Sequence, residues 1–347
     1  MKKTPFGLMV AVLMVIAIAC SSSETPALIV SPTTELGSVP KTDVPKELVQ
    51  ISLAMDWFPN SNHVGIFEAL DRGFFAEEGL EVNAYTPSDP STVLQTVGAG
   101  RDDFGISYQP DLLLARNAGV PVVSVMGIVQ HPLNSIMTLG SSGLETPADL
   151  KGMRIGHPNI PSNQGMLATM LAEGGLTMDD VELVDVGFNL VPSLLGDTVD
   201  AIIGAYWTHE SILIELEGKE VNIMRMEEWG VPDFYELIII ASESTIADRT
   251  EVVEGFVRAM RKGFEAAEND PQGAVDTLIE ANPESVNEEL ERKGVDLLQS
   301  IWGDGVPRIG WQEEARWSSF TSWMKSQEFI EDDVDALAAF TNQFIDN

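Results

Sequence analysis

Cysteine is nearly absent: Cys20 is the single thiol in a chain of 347 residues. One thiol excludes an internal disulfide and a thiolate zinc site of the usual four-ligand kind. Histidine is scarce too. His63, His131, His157 and His209 are the full set, and no pair has HxH or HxxxH spacing, so no metal site is assigned. Positive charge is in deficit, with 20 Lys and Arg against 54 Asp and Glu, a formal charge of −34. That balance argues against nucleic acid as a partner, because a phosphate backbone would be repelled. It also argues against an anionic ligand drawn in by long-range attraction, and fits a solvated acidic surface. No internal repeat of roughly 20–50 residues is evident.

What is present begins at the N-terminus. Met1-Lys2-Lys3 is followed by a charge-free apolar stretch over residues 6–19. The stretch is shorter than the ~20 residues that a membrane-crossing helix needs, and the basic start marks residues 1–19 as a secretory signal peptide. Ala17-Ile18-Ala19-Cys20 resembles a bacterial lipobox, in which the cysteine becomes the lipidated first residue. Lipidation at Cys20 would hold the mature chain outside the cytoplasmic membrane, in the periplasm or on the cell surface. The lipid would be its sole membrane contact. Loss of residues 1–19 removes Lys2 and Lys3 and no acid, which moves the charge from −34 to −36. Residues 20–48, rich in Ser, Thr and Pro, read as a flexible linker.

The remaining ~300 residues approach the size at which single cores stop growing, so two lobes are expected. Short apolar strands over 51–55, 80–84, 104–107 and 122–129 alternate with helices over 64–72, 91–99 and 110–118. A second unit repeats the alternation, with strands over 154–156, 181–186 and 201–205. A strand over 237–241 then precedes helices over 251–268, 271–280, 287–302, 311–326 and 334–345. The fold class is α/β, built of parallel βαβ units. Lobe 1 is expected over 49–138 plus 240–347, and lobe 2 over 139–239. The strands near 136–140 and 237–242 are expected to cross between them as hinges. Ligands of such sheets sit at strand carboxyl ends and in the cleft between lobes.

Six loops flanking the expected strands carry the chemistry. The first is Asp56-Trp57-Phe58-Pro59-Asn60-Ser61-Asn62-His63, and the second Ser107-Tyr108-Gln109-Pro110-Asp111. Gly156 through Asn163 and Gly187-Phe188-Asn189-Leu190-Val191-Pro192 follow. Tyr206-Trp207-Thr208-His209-Glu210 and Trp229 through Glu236 complete the set. The loop from Gly156 to Asn163 has neither GxGxxG nor GKS/T, so no phosphate motif is read there. Together the loops supply aromatic plates, amides, carboxylates and imidazoles, which suit a small planar heterocycle. Glu210 can accept from the exocyclic amine of an aminopyrimidine. Gln109, Asn163 and Trp207 are candidate ligand contacts by their place in these loops.

The run Leu53-Ala54-Met55-Asp56-Trp57-Phe58-Pro59-Asn60-Ser61-Asn62-His63, continuing through Gly73-Phe74-Phe75-Ala76-Glu77-Glu78-Gly79-Leu80-Glu81-Val82, resembles the pyrimidine-precursor-binding family. So do Val129-Gln130-His131-Pro132-Leu133-Asn134, Val186 through Pro192, Val199 through Glu210, and Trp229-Gly230-Val231-Pro232-Asp233-Phe234-Tyr235-Glu236-Leu237. The family comprises the formylaminopyrimidine-binding lipoproteins of bacterial thiamine-salvage ABC transporters, and the resemblance covers about residues 50–345. It implies a two-lobe periplasmic-binding-protein fold that shuts on a thiamine pyrimidine precursor and delivers it to a permease powered by ATPase subunits. By motif it carries over Trp57, Asn60, His63, Tyr108, Asn189, Tyr206, Glu210 and Tyr235 as cleft residues. Relatives in the wider superfamily take riboflavin or other aromatic compounds.

A related eukaryotic fold makes hydroxymethylpyrimidine phosphate with a sacrificed histidine, a lysine-bound cofactor and a cysteine-rich iron motif. His63 matches the histidine, but Ser107 stands at about the lysine position and one cysteine cannot supply the iron motif. The expectation is a monomeric binder of a small aromatic nitrogen heterocycle, with no catalytic residue and no cofactor.

Overall fold

The computed structural model describes residues 47–346. The signal peptide, Cys20 and the linker up to residue 46 lie outside the described residues. Ten strands are formed among the described residues. They are β1 (Val49–Ala54), β2 (Leu80–Tyr85), β3 (Phe104–Ser107), β4 (Val122–Val129), β5 (Asn134–Leu139), β6 (Arg154–His157), β7 (Glu182–Asp185), β8 (Ala201–Tyr206), β9 (Val221–Arg225) and β10 (Leu237–Ser242). One sheet has the order β2-β1-β3-β10-β4 and the other β7-β6-β8-β5-β9. Each is the centre of one lobe.

The burial of the strands follows their composition. β4 and β10 are β-branched-rich runs without alternation, and every residue in both is buried. Such runs belong inside a sheet covered on both faces. The βαβ pattern makes β1, β2 and β3 parallel, and likewise β6, β7 and β8. β10 and β5 run antiparallel to both of their neighbours. Each is the first strand laid down after the chain arrives from the other lobe, so it enters its sheet against the prevailing direction.

This corrects the expected hinges. β5 lies wholly in the second sheet, between β8 and β9, and β10 wholly in the first, between β3 and β4. The crossings are the loop segments 130–133 and 226–236, so strand 134–139 belongs to lobe 2 rather than lobe 1. A strand that pairs on both sides has its backbone hydrogen bonds committed and cannot serve as the bending element. The expected helix over 334–345 is likewise absent. There Ser124 of β4 donates to Ala339 O and accepts from Thr341 N, both at 2.9 Å, forming a parallel bridge to Phe340. That segment covers an otherwise open sheet edge.

The long helix Thr250–Asn269 closes the lobe 1 core. Val253, Phe256, Val257, Met260 and Phe264 recur at helical spacing and are buried. Phe256 stacks on Phe104 of β3 with centroids 3.8 Å apart. This helix crosses the helix Val64–Asp71 very closely. A Cβ at Gly263 would lie 2.0 Å from the Gly65 carbonyl oxygen, so hydrogen is the only side chain that fits. The crossing fixes the helix that leads out of the loop over residues 56–63.

Candidate functional site

The two sheets present their strand ends to a common cleft with about 500 Å³ of space not occupied by protein atoms. Asp56 and Trp57 follow β1, and Tyr108 follows β3. Asn134 opens β5, Tyr206 ends β8, and Phe234 and Glu236 precede β10. Asp56, Trp57, Tyr108 and Tyr206 reach the cleft at the carboxyl ends of parallel strands, where open α/β sheets place ligands, and Asn134, Phe234 and Glu236 reach it at the starts of the antiparallel strands β5 and β10.

Three carboxylates face the space, and each is anchored from behind. Asp56 takes His63 Nε2 at 2.9 Å and the Tyr108 hydroxyl at 3.2 Å. His63 Nδ1 accepts from Asn60 N at 3.2 Å, so the imidazole proton sits on Nε2 and is donated to Asp56. Glu210 accepts from Tyr206 N at 2.8 Å and pairs with His209 Nδ1 at 3.0 Å. Glu236 accepts from Leu133 N at 2.7 Å and Asn134 N at 2.9 Å, and from the Tyr206 hydroxyl.

Burial dominates the electrostatics. It pushes Glu236 up to about 7 against the pull of the two amides and Tyr206, and raises Asp111 to about 6. It also holds Tyr108 and Tyr206 well above the usual phenol range, so both remain proton donors. For His209 burial works against the charge, but Glu210 and Glu291 outweigh it and raise the imidazole to about 10. Among the described residues, neither lysine nor arginine lines the cleft.

Asn163 supplies the site's free donor. Its Oδ1 accepts from Asn134 Nδ2 at 2.9 Å, and its buried Nδ2 has no partner. Gly204 makes the room, since a Cβ there would lie 2.8 Å from that Nδ2 and its φ of +89° suits glycine.

The lobes touch around the cleft. Asp111 of lobe 1 accepts from Ser162 N at 3.1 Å and Ser162 Oγ at 2.5 Å, capping a lobe 2 helix, Ser162–Glu173. At the mouth, Phe188 of lobe 2 lies 4.5 Å from the Trp57 ring and 4.7 Å from Phe58 of lobe 1.

Of the residues expected from sequence, Trp57, Asn60, Tyr108, Asn163, Tyr206 and Glu210 line the cleft. Five stand back from it. His63 is fully buried behind Asp56. Gln109 turns into the protein, where its Oε1 accepts from Tyr235 N at 2.8 Å. Tyr235 is fully buried against Trp317, its hydroxyl oxygen accepting from Glu313 N at 2.5 Å. Trp207 donates through Nε1 to Pro132 O at 3.1 Å, with the Arg225 guanidinium 4.0 Å over its ring. Asn189 is exposed beside Phe188.

The sequence reading missed Asp56, Asn134, Gly204, His209 and Glu236 as cleft walls. Asp56 and His209 stood inside the loops already singled out, and a carboxylate directly after a strand was a usable signal. Glu236 closed the last of those loops and Asn134 the segment Val129–Asn134, but neither was singled out, because the role of each is set by the meeting of two distant crossings.

A family model described as NMT1/THI5 like matches residues 60–274. The chain belongs to that family. This NMT1/THI5-like chain is 35% identical over 299 residues to the formylaminopyrimidine-binding protein of Halalkalibacterium halodurans, spanning 85% of this chain and 90% of that one. It is 26% identical over 309 residues to the 4-amino-5-hydroxymethyl-2-methylpyrimidine phosphate synthase of Uromyces fabae, spanning 85% and 87%. Its structure is similar to the alkanesulfonate-binding protein SsuA of Xanthomonas axonopodis pv. citri bound to MOPS. The TM-score is 0.67 at 17% identity, over 85% of this chain and 99% of that one. That likeness carries the fold, a two-lobe periplasmic-binding-protein fold.

Proposed function

We propose that this chain is the substrate-binding component of an ABC importer. It captures an aminopyrimidine of the formylaminopyrimidine kind between its lobes and delivers it to a permease. The observation that carries this reading is the polarity of the cleft. Asp56, Glu210 and Glu236 offer acceptors, Asn163 Nδ2 offers a free donor, and among the described residues no cationic side chain other than His209 lines the space. Acceptors of this kind match the exocyclic amine of an aminopyrimidine, and a ring nitrogen that takes or shares a proton, while Trp57 offers a plate for its ring. A sulfonate or phosphate would meet carboxylates with no compensating lysine or arginine. The relative with 35% identity supports the ligand class.

The binding reading is favoured over synthesis by the same residues. Ser107, at about the position where the resemblance to the synthase fold would call for a lysine, is buried in β3. His63 is fully enclosed by Asp56 and the backbone of Asn60. A binder of this kind works outside the cytoplasmic membrane. Lipidation of Cys20 would tether it there as a monomer near its permease.

Calorimetry with formylaminopyrimidine, riboflavin and a phosphorylated pyrimidine tests this. The aminopyrimidine is expected to bind and the phosphate ester to fail. Glu210→Gln should weaken binding at least tenfold, which is ~1.4 kcal/mol. Unchanged affinity in that variant, or preference for riboflavin, would overturn the assignment.

A further inference from the structure

We infer that Glu291 is an inter-lobe positioning residue. It completes the Glu210–His209 pair from the opposite lobe, so that the ligand-facing carboxylate is fully oriented only when the lobes meet. This rests on the reading of the cleft as an aminopyrimidine site.

Glu291 lies on the helix Glu288–Leu298, far in sequence from every loop that shapes the cleft. Its neighbours on that helix behave as surface residues. Glu288 and Glu289 pair along the helix with Arg292 and Lys293, and Arg292 also reaches Asp276. Glu291 instead is 2% exposed, and neither basic neighbour is among its partners. A buried carboxylate without a partner is costly, so its contacts explain its place. Oε2 accepts from Ser61 N at 2.6 Å, within lobe 1. Oε1 lies 3.4 Å from His209 Nε2, which belongs to lobe 2. One oxygen serves each lobe.

A second residue on the same helix points to the same contact. A Cβ at Gly294 would lie 2.6 Å from Ser61 Oγ and 3.0 Å from Thr208 O. Glycine therefore lets the helix press on the first cleft loop of lobe 1 and on the Tyr206–Glu210 loop of lobe 2 together. With the lobes apart, His209 has Glu210 alone. With the lobes together, both ring nitrogens are committed to carboxylates, and Glu210 is held by His209 on Oε1 and by Tyr206 N on Oε2. Ligand reading and lobe contact then share one polar chain, Tyr206–Glu210–His209–Glu291–Ser61, hydrogen-bonded except for the His209–Glu291 ion pair at 3.4 Å.

The test is a double-mutant cycle of Glu291→Gln and His209→Gln, read by calorimetry with formylaminopyrimidine and by small-angle scattering of the ligand-free chains. Each single variant should bind at least tenfold more weakly, and the double variant no more weakly than the worse single. Both singles should show a larger radius of gyration than the parent. Unchanged affinity in Glu291→Gln, or strictly additive losses, would overturn the inference, because Glu291 would then act inside lobe 1 alone. If Glu291→Gln does not fold, His209→Gln removes the same contact and leaves Ser61 N paired; unchanged affinity and dimensions there overturn it equally. If the parent binds no pyrimidine, the ligand assignment fails. The scattering comparison still decides the clasp, which equal dimensions would refute.

Discussion

Glu236 stands where both crossings meet the cleft. Its own segment leads into β10, and its carboxylate takes the amides of Leu133 and Asn134 from the other crossing. Burial raises it from 4.5 to about 7, so the folded chain retains a proton there that the unfolded chain has lost. Its contribution is therefore fully present below pH 4.5 and fades as pH rises through 7. At 1.36 kcal/mol per pH unit the swing is about 3 kcal/mol. Glu236→Gln keeps an acceptor for the two amides and cannot ionise. Denaturation of this variant between pH 4 and 9 should show a flatter loss of stability across that window than the parent, and an unchanged slope would refute the assignment.

The same scale shows what a sequence can and cannot reveal about a site. Trp57, Tyr108, Tyr206 and Glu210 were legible as cleft-lining residues because each stands at the end of a strand or within four residues after it, and strand ends converge in this fold. His63, Gln109 and Tyr235 share those loops but point away, since a loop's sequence does not fix the direction in which each side chain turns. Glu236 lay in the last of those loops too, but its role was opaque for a different reason. Its partners lie about a hundred residues earlier in the chain, and no local pattern announces that meeting.

Among elements, the alternation of strands and helices was legible from periodicity, and so was the amphipathic helix Thr250–Asn269. The reversed directions of β5 and β10 were not, because strand direction depends on which lobe the chain has just left. The segment 334–345 has apolar residues at near-helical spacing, yet it spends them on the edge of β4 and the adjoining core. Tertiary burial outweighs a weak local helix preference in such a segment. The contact of the helices Val64–Asp71 and Thr250–Asn269 is more demanding than either sequence suggests. Gly263→Ala would set a methyl 2.0 Å from a backbone oxygen, which no rotamer change relieves. A loss of about 3 kcal/mol is expected, at the upper end of ordinary overpacking. Urea denaturation measures it, and a loss below 1 kcal/mol would show that the two helices separate freely.

At the scale of the molecule, the same two-lobe architecture serves ligands of different charge, and the cleft residues select among them. Here an acidic chain also has an acidic cleft, so electrostatic steering gives an anion no advantage. What retains a neutral or cationic ring is closure. The lobes meet through polar contacts, Asp111 with Ser162 and His209 with Glu291, and through one aromatic cluster at the mouth. Phe188 does not line the cleft, so its effect on a bound ligand must run through closure of the mouth. An aromatic pair contributes ~0.5–1.5 kcal/mol beyond its buried area. Phe188→Ala should therefore raise the dissociation rate of formylaminopyrimidine by roughly two- to thirteenfold, while association, which needs the mouth already open, changes little. Stopped-flow fluorescence of Trp57, whose ring Phe188 touches, separates the two rates. An effect confined to association would mean that the mouth guides entry rather than holding the ligand in.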